Sequence, residues 1–417
     1  MAEVNSGVMN WAGITIFVLT YAVISARRLT WIGLDRPAGA LLGAVFCVVS
    51  GVLTPSEALN AVNGQTILLL FGVMGMGAFL GRDGFFEYLE QAVVGFSRTP
   101  VRLLGSIVWG AGLLSAFLTN DAVCVLGAPV VVRLIERHRL PSLPFLLALA
   151  TAANTGSVGT LVGNPQNMLC AVLGHLSYRD HLLLVGPLAL VCLGINHGLL
   201  FAVFGRQLAG KHLVLPESHR GLSRHSGITL GGVGATAAAY MAGTDLAWSA
   251  ATGFAVLMLL NRQDTRPLWG RIDWSLLLFF SGLFVVVEGF IQSGGPAWLF
   301  ARFPLSVSGE DSLSSWLRVS TIFLAGSNIV SNVPFILVIR DQMAALPNPL
   351  LGWELLTVVS TFAGNLTLLG SVANIIVAEA ARDIGGIGFF DYLKVGFPLA
   401  VMTTLVGLAW LVAFFPG

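Results

Sequence analysis

Four short stretches place amide and hydroxyl side chains inside otherwise apolar sequence, and they come as two matched pairs. LTNDAV at 118–123 lies over VSNVPF at 330–335, and TLVGNPQN at 160–167 lies over TLLGSVAN at 367–374. Asn120 therefore pairs with Asn332, Thr160 with Thr367, Gly163 with Gly370 and Asn167 with Asn374. Neutral carbonyl, amide and hydroxyl groups suit Na⁺, a polyhydroxyl solute or an oxyanion equally well, so this chemistry alone leaves all three open. A helix cap or an interhelical hydrogen bond would explain any one Asn taken singly; recurrence at matched positions turns the reading toward a site. Asp121 is the one carboxylate at such an interruption, and its repeat partner is Val333. An acid in apolar surroundings marks a proton or ion pathway, the alternative being an N-cap. Cys124 follows Asp121, and Cys170 follows Asn167, by three positions. Their thiols suit a soft metalloid such as trivalent arsenic and are otherwise small hydrophobes. No Lys or Arg falls near an interruption, which weighs against direct ion pairing with a multiply charged anion.

The elements that must position these residues follow from composition. Of 417 residues, 55% are hydrophobic and 10% are charged, where a soluble domain carries about 25% charged residues. Mean hydropathy is +0.83, and apolar runs near 20 residues recur, the length a hydrocarbon layer of roughly 30 Å demands. The chain reads as an all-α polytopic membrane protein. A net charge of +1 gives no basic field for nucleic acid. The four cysteines, Cys47, Cys124, Cys170 and Cys192, imply no disulfide framework, and no cofactor is expected. The first apolar run lacks a basic region before it and reads as a retained span. No GxxxxGK[ST] loop, HExxH, Ser/Lys or paired-Asp arrangement occurs, so any use of ATP would require a separate subunit and no enzyme site is expected.

Spans are expected at about 8–25, 37–53 and 65–81, with an amphipathic stretch at 83–97, interrupted windows at 101–137 and 143–176, and a span at 182–204. After the polar connection 205–227 the same order returns: 228–243, 246–262, 273–291, a broken stretch 292–305, windows at 312–345 and 351–380, and a span at 393–415. A shift of about 210 residues lays TILLLFGVMGMGAFL on LLLFFSGLFVVVEGF. Residues 1–204 and 228–417 are thus two repeats of about five crossings each, every repeat holding a re-entrant hairpin and a broken helix. The arrangement puts eighteen of the 22 Lys and Arg on the side of the central connection and four, Arg179, Arg302, Arg318 and Arg340, on the other. That bias places the connection in the cytoplasm and both termini outside a plasma or inner membrane, and makes the repeats inverted. Glu288 and Glu379 fall near span ends, His175 and His181 at the outer surface, and His197 inside the sixth span as a packing residue. Duplicated halves with interrupted segments in matching places point to the binding site of a secondary transporter, and favour alternating access over a passive channel.

FLTNDAVCVLGAPVVV, TAANTGSVGTLVGNPQNM, SNIVSNVPFILVI and TLLGSVANIIVAE resemble the four signature stretches of the ion transporter superfamily, and FFSGLFVVVEGF resembles its eighth-to-ninth span region. That superfamily includes arsenite/antimonite efflux permeases, citrate-metal symporters, divalent anion/sodium symporters and certain sodium/proton antiporters. Asn-Asp at 120–121 followed by an apolar run and Pro129 is most similar to the arsenite permeases, whereas GNPQN at 163–167 is similar to several anion-permease groups. The resemblance implies hairpin tips at Asn120 and Asn332, helix breaks at 155–167 and 364–374, a homodimer and an elevator-type transport domain. It makes Asn120, Thr155, Gly156, Asn164, Asn167, Asn328, Asn332, Asn365, Thr367, Ser371 and Asn374 the expected substrate contacts. Asp121 is expected to couple transport to H⁺ or Na⁺, and Cys124 and Cys170 are the candidate metalloid ligands. Proton-coupled efflux of arsenite or antimonite leads; carboxylate or oxyanion symport and sodium/proton antiport stand beside it.

Overall fold

Side chains able to accept a hydrogen bond stand where the apolar runs begin, and they set the helix starts. Asp35, Asn63, Thr99, Thr119, Ser177, Ser223, Asp245, Asp273, Ser312 and Asn348 each accept from the backbone N–H three residues on, satisfying donors that an open helix end would strand. The computed structural model describes residues 10–25, 34–210, 213, 221–305 and 312–415. Arg27, Arg28, Lys211 and Arg220, which contribute to the charge split, lie outside them, as do parts of the 205–227 connection.

The first half runs α1 (Trp11–Ser25), α2 (Arg36–Val49), α3 (Pro55–Ala61), α4 (Gly64–Arg82), α5 (Phe85–Ser97), α6 (Pro100–Phe117), α7 (Asn120–His138), α8 (Ser142–Ser157), α9 (Pro165–Gly174) and α10 (Tyr178–Leu208). The second repeats that order: α11 (Arg224–Met241), α12 (Leu246–Asn261), α13 (Arg266–Trp269), α14 (Trp274–Gln292), α15 (Gly295–Arg302), α16 (Leu313–Val330), α17 (Asn332–Ile339), α18 (Pro349–Ala363), α19 (Val372–Ala380) and α20 (Phe389–Phe414). Five of these, α4, α6, α10, α14 and α20, are long and apolar enough to cross a membrane. Two others are only half as long as a span: α9 has 10 residues and α19 has 9, roughly 15 Å of helix each. They continue α8 and α18 beyond the breaks. Helices α8 and α18 are the innermost, α8 burying every residue from Pro144 to Ser157.

Packing follows the 210-residue shift down to single residues. Helix α4 packs on α12 and α2 on α14. A Cβ on Gly72 would lie 2.6 Å from the backbone carbon of Ala250, and one on Gly282 would lie 2.8 Å from that of Ala40. Both contacts join a glycine to an alanine 210 positions from its counterpart, letting two backbones touch where lipid supplies no hydrophobic drive. Gly156 plays the same part between α8 and α6, since a Cβ there would meet the Gly112 backbone.

One expectation is corrected. His181 is not at the outer surface: it is fully buried, with Nδ1 2.6 Å from Glu354 Oε2 and Nε2 2.9 Å from the Val158 carbonyl. A position four residues into a helix gives no hint of a carboxylate 173 positions away. His197 does pack within α10, accepting from Trp109 Nε1 at 3.2 Å. Glu379 is exposed beside Arg382, and Glu288 is held by Arg340 at 2.8 Å.

Because Gly72 and Gly282 sit at matched backbone contacts, Gly72→Val and Gly282→Val are expected to be alike in effect, each destabilising by about 1–3 kcal/mol through overpacking. Thermal unfolding in detergent checks this; an unchanged midpoint for either would show that the helices are not in backbone contact there.

Candidate functional site

Each broken helix ends its first half in a run of small polar residues and restarts at a capping side chain. Asn164 caps α9 through Asn167 N (2.7 Å), and Ser371 caps α19 through Ala373 N (3.3 Å). A second side chain closes each break. Asn167 Nδ2 donates to the Ser157 and Thr160 carbonyls at 3.3 and 2.9 Å, and Asn374 Nδ2 donates to the Gly364 and Thr367 carbonyls at 2.8 and 3.2 Å. The two side-chain pairs, and the two pairs of carbonyls they close, are each separated by 207 residues. The paired asparagines therefore plug the carbonyls that a broken helix strands.

The two breaks are also bonded to each other, and the bonding is crossed. Asn154 of α8 donates from Nδ2 to Asn374 Oδ1 (2.9 Å) and to Asn365 Oδ1 (3.1 Å), while its Oδ1 accepts from Ser371 Oγ (3.0 Å) and from Asn120 Nδ2 (2.9 Å). Thr361, its counterpart 207 residues on in α18, donates to Asn167 Oδ1 (2.8 Å) and accepts from Asn164 Nδ2 (3.1 Å). Asn365 Nδ2 returns to Thr155 Oγ1 at 3.0 Å. Of the expected contacts, Asn120, Thr155, Asn164, Asn167, Asn365, Ser371 and Asn374 are thus gathered into one buried network. Thr367 and Asn328 meet beside it at 3.3 Å, with Asn328 Nδ2 on the Ala363 carbonyl at 2.8 Å. Gly156 stands at the α6 backbone. Asn154, Thr361 and Ser157, whose hydroxyl accepts from Asn164 at 2.9 Å, are members that sequence reasoning missed; the signal was available in ANTGSVG, but Asn154 matches a threonine and not another asparagine.

The hairpin tips are unequal. At the first, between α6 and α7, Leu118, Thr119 and Asn120 are buried, Asn120 N donates to the Gly163 carbonyl at 2.9 Å, and Ser115 Oγ donates to the Ala153 carbonyl at 2.7 Å. Thr160 Oγ1 bonds the Ala116 carbonyl. At the second, between α16 and α17, Ile329 and Ser331 are exposed, and Ser331 holds φ at 72° where Thr119 has −66°. The buried Asn332 Oδ1 and Ser327 Oγ, counterparts of groups bonded at the first tip, have no hydrogen-bond partner among the described residues. A non-glycine residue at positive φ is strained, and strain of this kind gathers at working segments.

Two cavities related by the repeat flank the crossing. One of about 490 Å³ lies between α4, the start of α7, the start of α14 and α19, and reaches Thr119 and Asp121. Its counterpart of about 510 Å³ lies between α3, the start of α4, α9, the end of α14 and α17; of the second hairpin it reaches Leu337 and, just past the end of α17, Arg340, which is bonded to Glu288. Asp121 is the second residue of α7 and half-buried; Thr119 is the cap. The expectation of no Lys or Arg near an interruption is corrected here: Arg271, with Asp273, lines the cavity of Asp121, brought there from some 150 residues away. Cys124 and Cys170 are buried in separate apolar clusters, and no group of three His, Cys, Asp or Glu fit to hold a metal occurs among the described residues.

Comparisons with known proteins agree with this architecture. The silicon efflux transporter LSI3 of Oryza sativa subsp. japonica is 30% identical over 90% of this chain and 92% of its own. A Dictyostelium discoideum protein bearing the provisional name transporter arsB is 25% identical over 97% of this chain and 93% of its own. The crystal structure of the Alcanivorax borkumensis YdaH transporter superposes with a TM-score of 0.54 at 15% identity, covering 97% of this chain and 96% of that one, and so shares its fold. A family model described as citrate transporter, CitMHS, matches residues 21–363. That match spans most of the chain, which therefore belongs to the citrate transporter family of the ion transporter superfamily and is a membrane transporter, not an enzyme.

Proposed function

We propose that the protein exports a small neutral hydroxylated acid of a metalloid, arsenous or antimonous acid first, in exchange for protons. The observation that carries this reading is the second hairpin tip, where Asn332 Oδ1 and Ser327 Oγ are buried and open while the crossing behind them is made of amides and hydroxyls. Arsenous acid is uncharged near pH 7 and offers hydroxyls that donate and accept. A multiply charged carboxylate would need cations at the crossing; Arg271 stands at the cavity wall, accompanied by Asp121 and Asp273. Silicic acid has the same neutral, hydroxylated chemistry and is the second reading, favoured by the rice relative's name. Citrate is favoured by the family description.

On this reading the repeats 1–204 and 228–417 are inverted about the crossing, the 205–227 connection is cytoplasmic and both termini are outside. The cavity of Asp121 then faces the cytoplasm, and the Arg340–Glu288 pair closes the outer one. Alternating access comes from the hairpins and broken helices moving against a scaffold of α1–α4 and α11–α14, in an elevator-type homodimer. Asp121 takes a proton from outside and releases it inside as the loaded site changes face; a carboxylate in a cavity that alternately dries and wets can exchange a proton this way.

Everted vesicles given an acid interior test the substrate. Arsenite is expected to accumulate, citrate is not, and silicic acid is measured in parallel; citrate accumulation, or dependence on Na⁺ with indifference to pH, would replace the proposal. Asp121→Asn keeps size and hydrogen bonding but cannot titrate. It should lose pH-driven accumulation and keep substrate exchange, so a variant that still built a gradient from an imposed pH difference would remove the proton role. Asn332→Leu and Asn154→Leu should separate binding from architecture. Leu at 332 deletes an oxygen without a partner, leaving thermal stability near wild type while transport falls at least about tenfold, the loss of about 1.4 kcal/mol of substrate interaction. Leu at 154 strands four partners at roughly 1–3 kcal/mol each and should prevent assembly. Normal transport by Asn332→Leu would take away the observation on which the site rests.

A further inference from the structure

Away from the crossing, two titratable side chains from different halves of the chain are buried against each other. His181, in the first turn of α10, and Glu354, in α18, have side chains 0% and 5% exposed, and their Nδ1 and Oε2 atoms are 2.6 Å apart. The other ring nitrogen lies 2.9 Å from the carbonyl of Val158, the residue that caps α8 where the first break begins. A carbonyl can only accept, so Nε2 carries a hydrogen. The Nδ1–Oε2 contact also needs a hydrogen, on the imidazole or on the carboxyl. The pair thus holds one proton more than a neutral imidazole beside a carboxylate would, and is neutral overall. Removing that proton leaves one hydrogen for two contacts, setting lone pairs against each other either at Glu354 or at Val158.

A route for the proton exists. Glu354 lines a cavity of about 590 Å³ with His175, Ser177, Asp180, Leu350 and Trp410. Followed through α10, α11 and α12, the chain puts this cavity at the opposite end of the bundle from the cavity of Asp121. The titratable groups facing the pair are few. Cys170 of α9 lies near Glu354 with the Thr357 hydroxyl on its sulfur. His175 and Asp180 share the cavity, and Tyr178 is turned against Tyr240 of α11 at 5.0 Å between ring centres. None of the residues lining the cavity is Lys or Arg.

We propose that His181 and Glu354 form a proton-binding site that, when loaded, locks α10 and α18 to the start of the first helix break, and on giving its proton to water in the adjoining cavity releases them. It is a second site, distinct from Asp121 and served from the other end of the bundle.

The test needs no substrate, so its result stands apart from that of the transport assays. Purified full-length protein in lipid nanodiscs is unfolded at a series of pH values from about pH 5 to about pH 9. Above the ordinary His and Glu titrations the unfolded chain has lost the proton that the folded pair keeps, so stability falls as pH rises, the unfolding constant growing about tenfold per pH unit for this one proton. Glu354→Gln supplies an amide N–H to Nδ1 and preserves the Val158 bond without an exchangeable proton. Its unfolding constant should lack that rise. Should Glu354→Gln fail to reconstitute, His181→Gln, whose amide can donate to Val158 and to Glu354 at once, gives the same comparison. Wild type and variant declining in parallel, or a wild type with no decline, would overturn the proposal and leave the pair a fixed strut.

Discussion

A helix that breaks inside hydrocarbon strands several backbone groups, each costing several kcal/mol if left without a partner. Two helices break at the centre of this protein, and each is closed by an asparagine in the first turn of the resumed helix, Asn167 on the Ser157 and Thr160 carbonyls and Asn374 on those of Gly364 and Thr367. Everything else at the crossing depends on those two closures. With their Nδ2 groups spent on their own backbones, Asn167 and Asn374 have carbonyl oxygens free to face the other repeat, and these are what Thr361 and Asn154 take up. Self-repair within a repeat and attachment between repeats are performed by opposite ends of the same amide.

This division explains why part of the site was legible in the sequence and part was not. The repair is local and identical in both halves, so it left Asn167 and Asn374 at the same place in two alignable motifs, with Thr160 and Thr367 fixing their register. Helix order, hairpin windows and the breaks came through for the same reason. The attachment uses residues whose counterparts differ chemically. Asn154 needs two donors and two acceptors because it meets Asn120, Asn365, Ser371 and Asn374 at once; Thr361 meets only Asn164 and Asn167. A repeat search rewards identity and passes over such a pair. Arg271 beside Asp121, and Glu354 beside His181, were invisible for another reason. Each pairing joins positions more than a hundred residues apart, and no motif marks Arg271, His181 or Glu354.

The unequal tips are the other feature that the alignment concealed. Asn120 and Asn332 occupy the same position in matched motifs, yet one is bonded to Asn154 and the other leaves its oxygen open. A hub with both donors and both lone pairs engaged, such as Asn154, is rigid, since moving any partner strands a buried group. Openness is displaced to the periphery, to Asn332, Ser327 and the strained Ser331.

On the proposed function, that contrast has a mechanical consequence. If the repeats exchange roles between the two faces, the first tip must at some point release what it now holds, and the cheapest bonds to release are those between Asn120 and its neighbours, because the remaining partners of Asn154 come from the breaks themselves. The two closures and the crossed attachment can then travel as one body, while each tip in turn opens to its own cavity. The solute must replace the interactions that the opening tip gives up. A neutral molecule with several hydroxyls does so without bringing a charge into the crossing, which is why amides and hydroxyls, and not cations, are the appropriate lining for it.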